Sequence, residues 1–252
     1  MKAKNHLLKY FVKQGGKKFV RFPDGAFYNP SSFPFAAIET SGAVLFADLP
    51  GYSKLSEKFT PVECTYFVNH FFAWFEGEAL KKFGGLIDKF IGDEVMIIFP
   101  HTECKFPPLE SAILTAKAML ENDPYAFSPK IGIASGIFAI SIVGTTETYD
   151  ITAIGHTVNL AARCAEKAKK SNSVRIATED LNVIKKTFND YIYWDISSPI
   201  EFKPKNMKKV KVIDIERKTI WIPNFNYEQK VKDNVRLARK SGVIINNLEE
   251  SS

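Results

Sequence analysis

The sequence predicts a mixed α/β (α+β) sandwich, and three observations carry that expectation. Short runs of β-branched and aromatic residues alternate along the chain with segments of helical period. Residues 84–100, GGLIDKFIGDEVMIIFP, read as two strands, Leu86–Ile91 and Glu94–Phe99, joined by the two-residue turn Gly92-Asp93. Glycine supplies the positive φ such a turn needs, and aspartate tolerates the left-handed region. A second apolar strand, AVLFAD, also ends in an acid, Asp48. Strands alternating with helices, with hairpins among them, give a sandwich of the ferredoxin-like or split-βαβ kind.

Taken in order, residues 1–40 hold Pro23, Gly25, Pro30 and Pro34 and only a short helical pattern at Leu7–Val12. They read as an N-terminal arm packed on a main domain spanning 41–216, whose core begins at Ala43. Leu49 to Ser53 forms a loop that opens a short helix. Thr60-Pro61-Val62-Glu63 is a capping box with proline at the first helical position. The helix it starts has Val68, Phe71, Phe72, Phe75 and Ala79 on one face, which reads as core. Lys81 and Lys82 fall in its last turn and Gly84 ends it, as the helix dipole and a left-handed cap prefer. The run VMIIF that follows is apolar throughout, so both its faces should be covered. Leu109–Glu121 is a third helix, and Lys130–Ser141 a strand broken or bulged at Gly136. Gly144-Thr145-Thr146 turns the chain into Tyr149–Ile154, and Gly155 leads into a helix reaching about Lys169. Val158, Ala161, Ala162, Ala165 and Ala168 form its apolar stripe; Asn159, Arg163, Glu166 and Lys170 lie opposite, with no partner acid expected for Asn159 and Arg163. SVRIA, a helix from Thr178 to about Phe188, WDI and VKVIDIE complete the domain. Residues 217–252 read as a C-terminal extension of a short strand, a basic helix and a frayed tail.

The chain has 252 residues, 45% of them hydrophobic, enough for one substantial core. No apolar run approaches the roughly 20 residues of a membrane span. The basic N-terminus lacks the apolar segment and cleavage site of a secretory signal. Cys64, Cys104 and Cys164 fit neither a disulfide framework nor zinc spacing and point to a reducing cytoplasm. The formal net charge of +6 is spread over scattered lysines. No aromatic-basic platform accompanies them, so no nucleic-acid partner is expected; a polyanionic small substrate explains the charge as well.

The chemistry starts from the two acids. A carboxylate at the tip of a strand or hairpin is rigidly placed, and Asp48 and Asp93 side by side would hold two divalent ions, about 3.5–4 Å apart in the usual two-metal arrangement. Magnesium suits few protein carboxylates and several substrate oxygens. Leu49–Ser53, running into a helix N-terminus, would offer backbone N–H groups to a triphosphate. Arg163 can neutralise charge on a transferring phosphoryl group, and Asn159 can orient a ribose.

These residues carry a resemblance. AVLFADLPGYSKLSE resembles the first metal motif of the class III adenylate/guanylate cyclases, with Tyr52-Ser53 where that family has Phe-Thr. KFIGDEVMIIF is similar to the family's K-x-x-G-D hairpin, and YDITAIGHTVNLAAR resembles its third motif, which ends V-N-x-A-x-R. The resemblance runs from about Ala43 to Glu216. It implies a nucleotidyl cyclase sandwich using Mg2+ or Mn2+, two per site, on Asp48, Asp93 and the backbone of Leu49. It makes Pro50, Gly51, Tyr52 and Ser53 the triphosphate loop, Lys89 and Thr152 the base readers, and Asn159 and Arg163 the ribose and phosphate residues. Threonine at 152, where many members have aspartate, resembles a subgroup of bacterial adenylyl cyclases often stimulated by bicarbonate. His156, in place of a common aspartate, receives no role. The resemblance further implies ATP as substrate, cyclic AMP as product, and a homodimer sharing its sites. Other readings stay open: a stand-alone pyrimidine (UTP or CTP) cyclase, a guanylate cyclase, a diguanylate cyclase echoing Gly92-Asp93-Glu94, or a degenerate nucleotide-binding dimerisation module.

Overall fold

The computed structural model of the chain describes residues 2–15, 37–121, 127–144, 148–168, 172–189, 192–218 and 227–243. Its elements begin α1 (Lys2–Lys13), β1 (Ala37–Asp48), α2 (Tyr52–Ser56), α3 (Pro61–Phe75) and α4 (Lys81–Phe83). Next come β2 (Leu86–Ile91), β3 (Glu94–Pro100), α5 (Pro108–Glu121), β4 (Lys130–Gly144), β5 (Tyr149–Ile154) and α6 (His156–Glu166). They end with β6 (Ser173–Ala177), α7 (Leu181–Thr187), β7 (Trp194–Ile196), β8 (Ile200–Phe202), β9 (Val210–Arg217) and α8 (Tyr227–Lys240).

The sheet runs β2-β3-β1-β4-β6-β9-β7, with β5 paired to β4 and β8 to β9. Each neighbouring pair among its first four strands is antiparallel. With α3 between β1 and β2 and α5 between β3 and β4, they make the β-α-β-β-α-β unit the sequence predicts. Strand alternation divides the core. Ala43, Leu45 and Ala47 of β1 and Val95, Ile97 and Phe99 of β3 face Phe71 and Phe75 of α3 and Ile113 and Met119 of α5. Val44, Phe46, Met96 and Ile98 face the other way, toward Leu160, Ala161 and Ala165 of α6 and Leu7 and Phe11 of α1. All of VMIIF is buried. Each large side chain taken out of water there contributes about 1.5–3 kcal/mol.

The capping box forms as expected: Thr60 Oγ1 accepts from the Glu63 N–H, and Glu63 Oε2 accepts from the Thr60 N–H. Such a cap is worth about 1 kcal/mol. The alanine stripe of α6 lets the helix lie directly on β4, where a Cβ on Gly132 would stand 2.0 Å from the Ala165 nitrogen.

Several expectations need correction. β1 begins at Ala37, six residues before the expected start of the core, and pairs with β4 from its first residue. β4 is neither broken nor bulged against β1: Gly42 pairs with Gly136 in continuous register. Gly136 is there because φ is +155° and Thr157 Oγ1 fills the place of a Cβ. On α3 the buried residues are Phe67, Phe71, Trp74 and Phe75; Val68 and Phe72 are only partly buried, because they line a cleft. That helix does not continue unbroken to Gly84 but widens into a π-type turn at Glu76–Leu80. α6 ends at Glu166, and in the hairpin turn only Gly92, at φ 63°, takes the left-handed conformation. The prolines of residues 16–36, the turn at Thr145-Thr146, Lys170, the strand expected after 217 and the tail lie outside the described residues, as does the side chain of Ala79.

Candidate active site

Ala47 of β1 stands opposite Val95 of β3. One step further, the strand ends bring Asp48, Glu94 and the turn residue Asp93 to one corner of the sheet. The Asp48 and Asp93 carboxyls are within hydrogen-bonding reach of each other. Burial and the neighbouring Asp48 push the Asp93 carboxyl up to about 6, against the pull of its own backbone N–H. Glu94 is pushed up to about 7 by burial first and then by the charges of Asp48 and Asp93. These acids are therefore held together against their own repulsion, which is the condition a divalent cation relieves. Among the described residues no cluster of three metal-ligating side chains forms, so a bound ion would draw further oxygens from substrate or water.

Past Asp48 the chain turns sharply. Leu49 is buried, and Gly51 takes φ 80° as the N-cap of α2, which no side chain caps. The Tyr52 N–H donates to the Leu49 carbonyl at 3.3 Å. The Tyr52 ring stacks on Phe67 at 6.4 Å between centroids. A cavity of 710 Å³ opens beside this loop, lined among others by Tyr52, Cys64, Phe72, Phe90 and Gly92.

On β2 the pairing with β3 slips between Ile87 and Lys89, leaving Asp88 as an extra residue. A bulge of this kind re-aims consecutive side chains. Lys89 Nζ lies 3.7 Å from Asp88 Oδ1. Thr152 of β5 donates its hydroxyl to Asp88 Oδ1 at 2.7 Å, and the Ala153 N–H donates to Asp88 Oδ2 at 2.7 Å. Lys89 and Thr152 are thus brought together by a residue that sequence reasoning missed. Its signal was an acid interrupting the apolar run of Leu86–Ile91. Glu94 was missed as well; its signal was its place directly after Asp93 at the start of the apolar run VMIIF.

Gly155 caps α6, and Asn159 and Arg163 both project to solvent from its outer side. The expectation that Arg163 lacks a partner acid is wrong: its Nη1 meets Glu166 Oε2 at 2.7 Å. Three residues apart on a helix, the two side chains are neighbours. Among the described residues no hydrogen bond or ion pair links Asn159 or Arg163 to Asp48 or Asp93.

The sequence profile of the adenylate and guanylate cyclase catalytic domain matches residues 38–215. The chain belongs to that family. An adenylate cyclase of Anabaena cylindrica is 34% identical over 151 residues, covering 55% of this chain and 29% of that protein. A terminal-differentiation-specific adenylate cyclase of Dictyostelium discoideum is 29% identical over 191 residues, covering 72% of this chain and 9% of the other. The chain therefore spans less than a third of the length of these relatives. Among solved structures, the adenylyl cyclase CyaB of P. aeruginosa superposes with a TM-score of 0.61 at 22% identity, over 75% of this chain and 99% of that one. The guanylyl cyclase Cya2 gives 0.58 at 18% identity, over 75% and 96%. Both share the fold. In this cyclase domain the singled-out side chains fall into an acid corner, a cluster on β2 and β5, and the outer side of α6. No helix among the described residues is long and apolar enough to cross a membrane.

Proposed function

We propose that this domain is an adenylate cyclase, converting ATP to 3',5'-cyclic AMP and pyrophosphate at two sites shared across a homodimer. The observation that carries the reading is the meeting of the Asp48 and Asp93 carboxyls, for which a nucleotide-bound cation is the natural relief. Mg2+ or Mn2+, two per site on Asp48, Asp93 and the Leu49 backbone, would supply charge neutralisation and lower the pKa of the attacking hydroxyl. The ribose 3'-oxygen bonds to the α-phosphorus as its proton passes to solvent water, and the bond from the α-phosphorus to the α,β-bridging oxygen breaks, releasing pyrophosphate. The protein's part is positioning and electrostatics.

In the triphosphate loop Gly51 and Ser53 bring backbone N–H groups toward the phosphates; the Tyr52 N–H is engaged by the Leu49 carbonyl and holds the turn, and Pro50 has no N–H and only shapes it. Asn159 holds the ribose. Arg163 leaves Glu166 to meet charge on the transferring phosphate, at a cost of about 1 kcal/mol or less for so exposed a pair. Lys89 donates to adenine N1 and Thr152 accepts from the N6 amino group.

Two features support sharing between protomers. Among the described residues no hydrogen bond or ion pair joins the acid corner to Asn159 or Arg163, and in this reading each takes the other from a partner. Phe90 and Ile91 at the hairpin tip, and Ile137 and Ile154 beside Gly155, present exposed apolar surface of the kind a two-fold interface buries. In this reading 41–216 is the catalytic domain, with 1–40 as arm and 217–252 as extension. Three free thiols suit a cytoplasmic setting.

The test is incubation with Mn2+ or Mg2+ and each of ATP, GTP, CTP and UTP, with products separated by mass. Cyclic AMP as the main product is the expected result. A main product from GTP, CTP or UTP overturns the adenylate assignment.

A further inference from the structure

Asp88 is an acid on the edge strand β2, yet only 3% exposed, and it belongs to neither the metal corner nor the phosphate-binding residues. Both its oxygens are engaged: Oδ2 by the Ala153 N–H, and Oδ1 by the Thr152 hydroxyl with the Lys89 ammonium 3.7 Å away. We propose that Asp88 is a positioning residue that sets the hydrogen-bonding polarity of the base-reading pair, restricting the site to bases with an amino group at purine position 6 or pyrimidine position 4 beside a bare ring nitrogen. The inference rests on the reading that Lys89 and Thr152 meet the base.

The argument is proton counting. A threonine hydroxyl has one proton and two lone pairs, while a carboxylate can only accept. With its proton committed to Asp88, Thr152 has only lone pairs to offer a base. Lys89 has only donors to offer. The pair therefore reads acceptor beside donor. Adenine answers with the N6 amino group and N1, and cytosine with its N4 amino group and N3. Guanine, hypoxanthine and uracil present a carbonyl where Thr152 needs a donor and an N–H where Lys89 needs an acceptor. The β2 bulge makes this possible, because it brings Asp88 and the next residue, Lys89, together at Thr152. Without Asp88 the hydroxyl could rotate and serve either kind of base.

Asp88→Asn tests this with a directional outcome. The Ala153 N–H still requires an acceptor, so the amide turns its oxygen there and its NH2 to Thr152. Thr152 then accepts from the amide, and its proton becomes available to a carbonyl on the base. The probes are ATP and ITP, which differ at purine position 6 and at N1. Wild type should prefer ATP, and CTP over UTP in the same sense. In Asp88→Asn the ATP/ITP ratio of kcat/KM should fall by about tenfold or more, the effect of one buried hydrogen bond left unmade. An unchanged ratio would overturn the proposal whatever the melting temperature, because a purely structural tie between β2 and β5 moves stability and not base choice.

Two further measurements keep the outcome decisive should Asp88→Asn not fold. Wild type that uses or binds ITP as readily as ATP contradicts the proposal with no variant needed. Thr152→Val, which keeps shape and removes the hydroxyl, should flatten the ratio. If Lys89→Ala and Thr152→Val shift the ratio while Asp88→Asn does not, base reading stands and the role of Asp88 falls. If none of the three shifts it, the base-reading assignment itself fails. Equilibrium binding of ATP and ITP gives the same ratios independently of turnover.

Discussion

Asp93, at the tip of the β2–β3 hairpin, lies beside Asp48, the last residue of β1, with their carboxyls in hydrogen-bonding reach. Asp93→Asn removes a charge that the metal-free protein holds against repulsion. The melting temperature without metal should rise, while cyclase turnover falls by about two orders of magnitude or more. A variant that melts lower and keeps its turnover would contradict the role assigned to this corner.

The same corner sets a pH dependence. Asp93 and Glu94 have folded-state pKa values raised to about 6 and about 7. A raised carboxyl binds its proton more tightly in the folded state than in the unfolded one, so stability is lost as the pH rises through that range. Metal-free protein should melt progressively lower between about pH 4 and 7 from these two groups. Added Mn2+ should restore more stability at pH 8 than at pH 5, where protons compete for the ligands. Thermal melts with and without Mn2+ across this range check both statements.

Arg163 and Glu166 form an exposed pair on α6, each side chain nearly half exposed. Glu166→Ala should change stability by about 1 kcal/mol or less and retain turnover. Arg163→Ala should leave stability similarly untouched but lower kcat by about 10³-fold. Equal losses from both substitutions would mean that the pair is structural and that Arg163 has no phosphate to meet.

Gly132→Ala places a Cβ 2.0 Å from the Ala165 nitrogen and 2.3 Å from the Ala161 carbonyl oxygen. α6 must shift away from β4, costing about 1–3 kcal/mol, and Asn159 and Arg163 move with it. Melting temperature and turnover should fall together, whereas the α6 surface variant Arg163→Ala should lower turnover alone.

The parts of this fold that were legible in the sequence are the local ones. The capping box at Thr60–Glu63, the Gly92-Asp93 hairpin and the doubly covered VMIIF strand each depend on residues a few positions apart, and each formed as the pattern required. The sandwich class followed because strands and hairpins alternating with helices leave few architectures open. What was not legible depends on long separations or on register. Asp88 meets Thr152 across 64 positions, through a bulge that no periodicity signals. The start of β1 at Ala37 was hidden because Glu39, Thr40 and Ser41 look like loop residues until β4 pairs with them. Gly136 suggested a break, although the glycine answers to Thr157 from another element. The Arg163–Glu166 pair is different: its three-residue spacing was visible, and reading both side chains as outward-facing obscured that they touch.

The measurement that bears most directly on the proposed sharing of the site is complementation between two inactive variants. Asp48→Ala lacks the acid corner and Arg163→Ala lacks the phosphate residue, so each homodimer should be dead. Mixed in equal amounts and allowed to exchange, half the dimers should contain one intact site, restoring about a quarter of wild-type turnover for a two-fold assembly. A mixture that stays inactive while both variants fold and exchange subunits would contradict it.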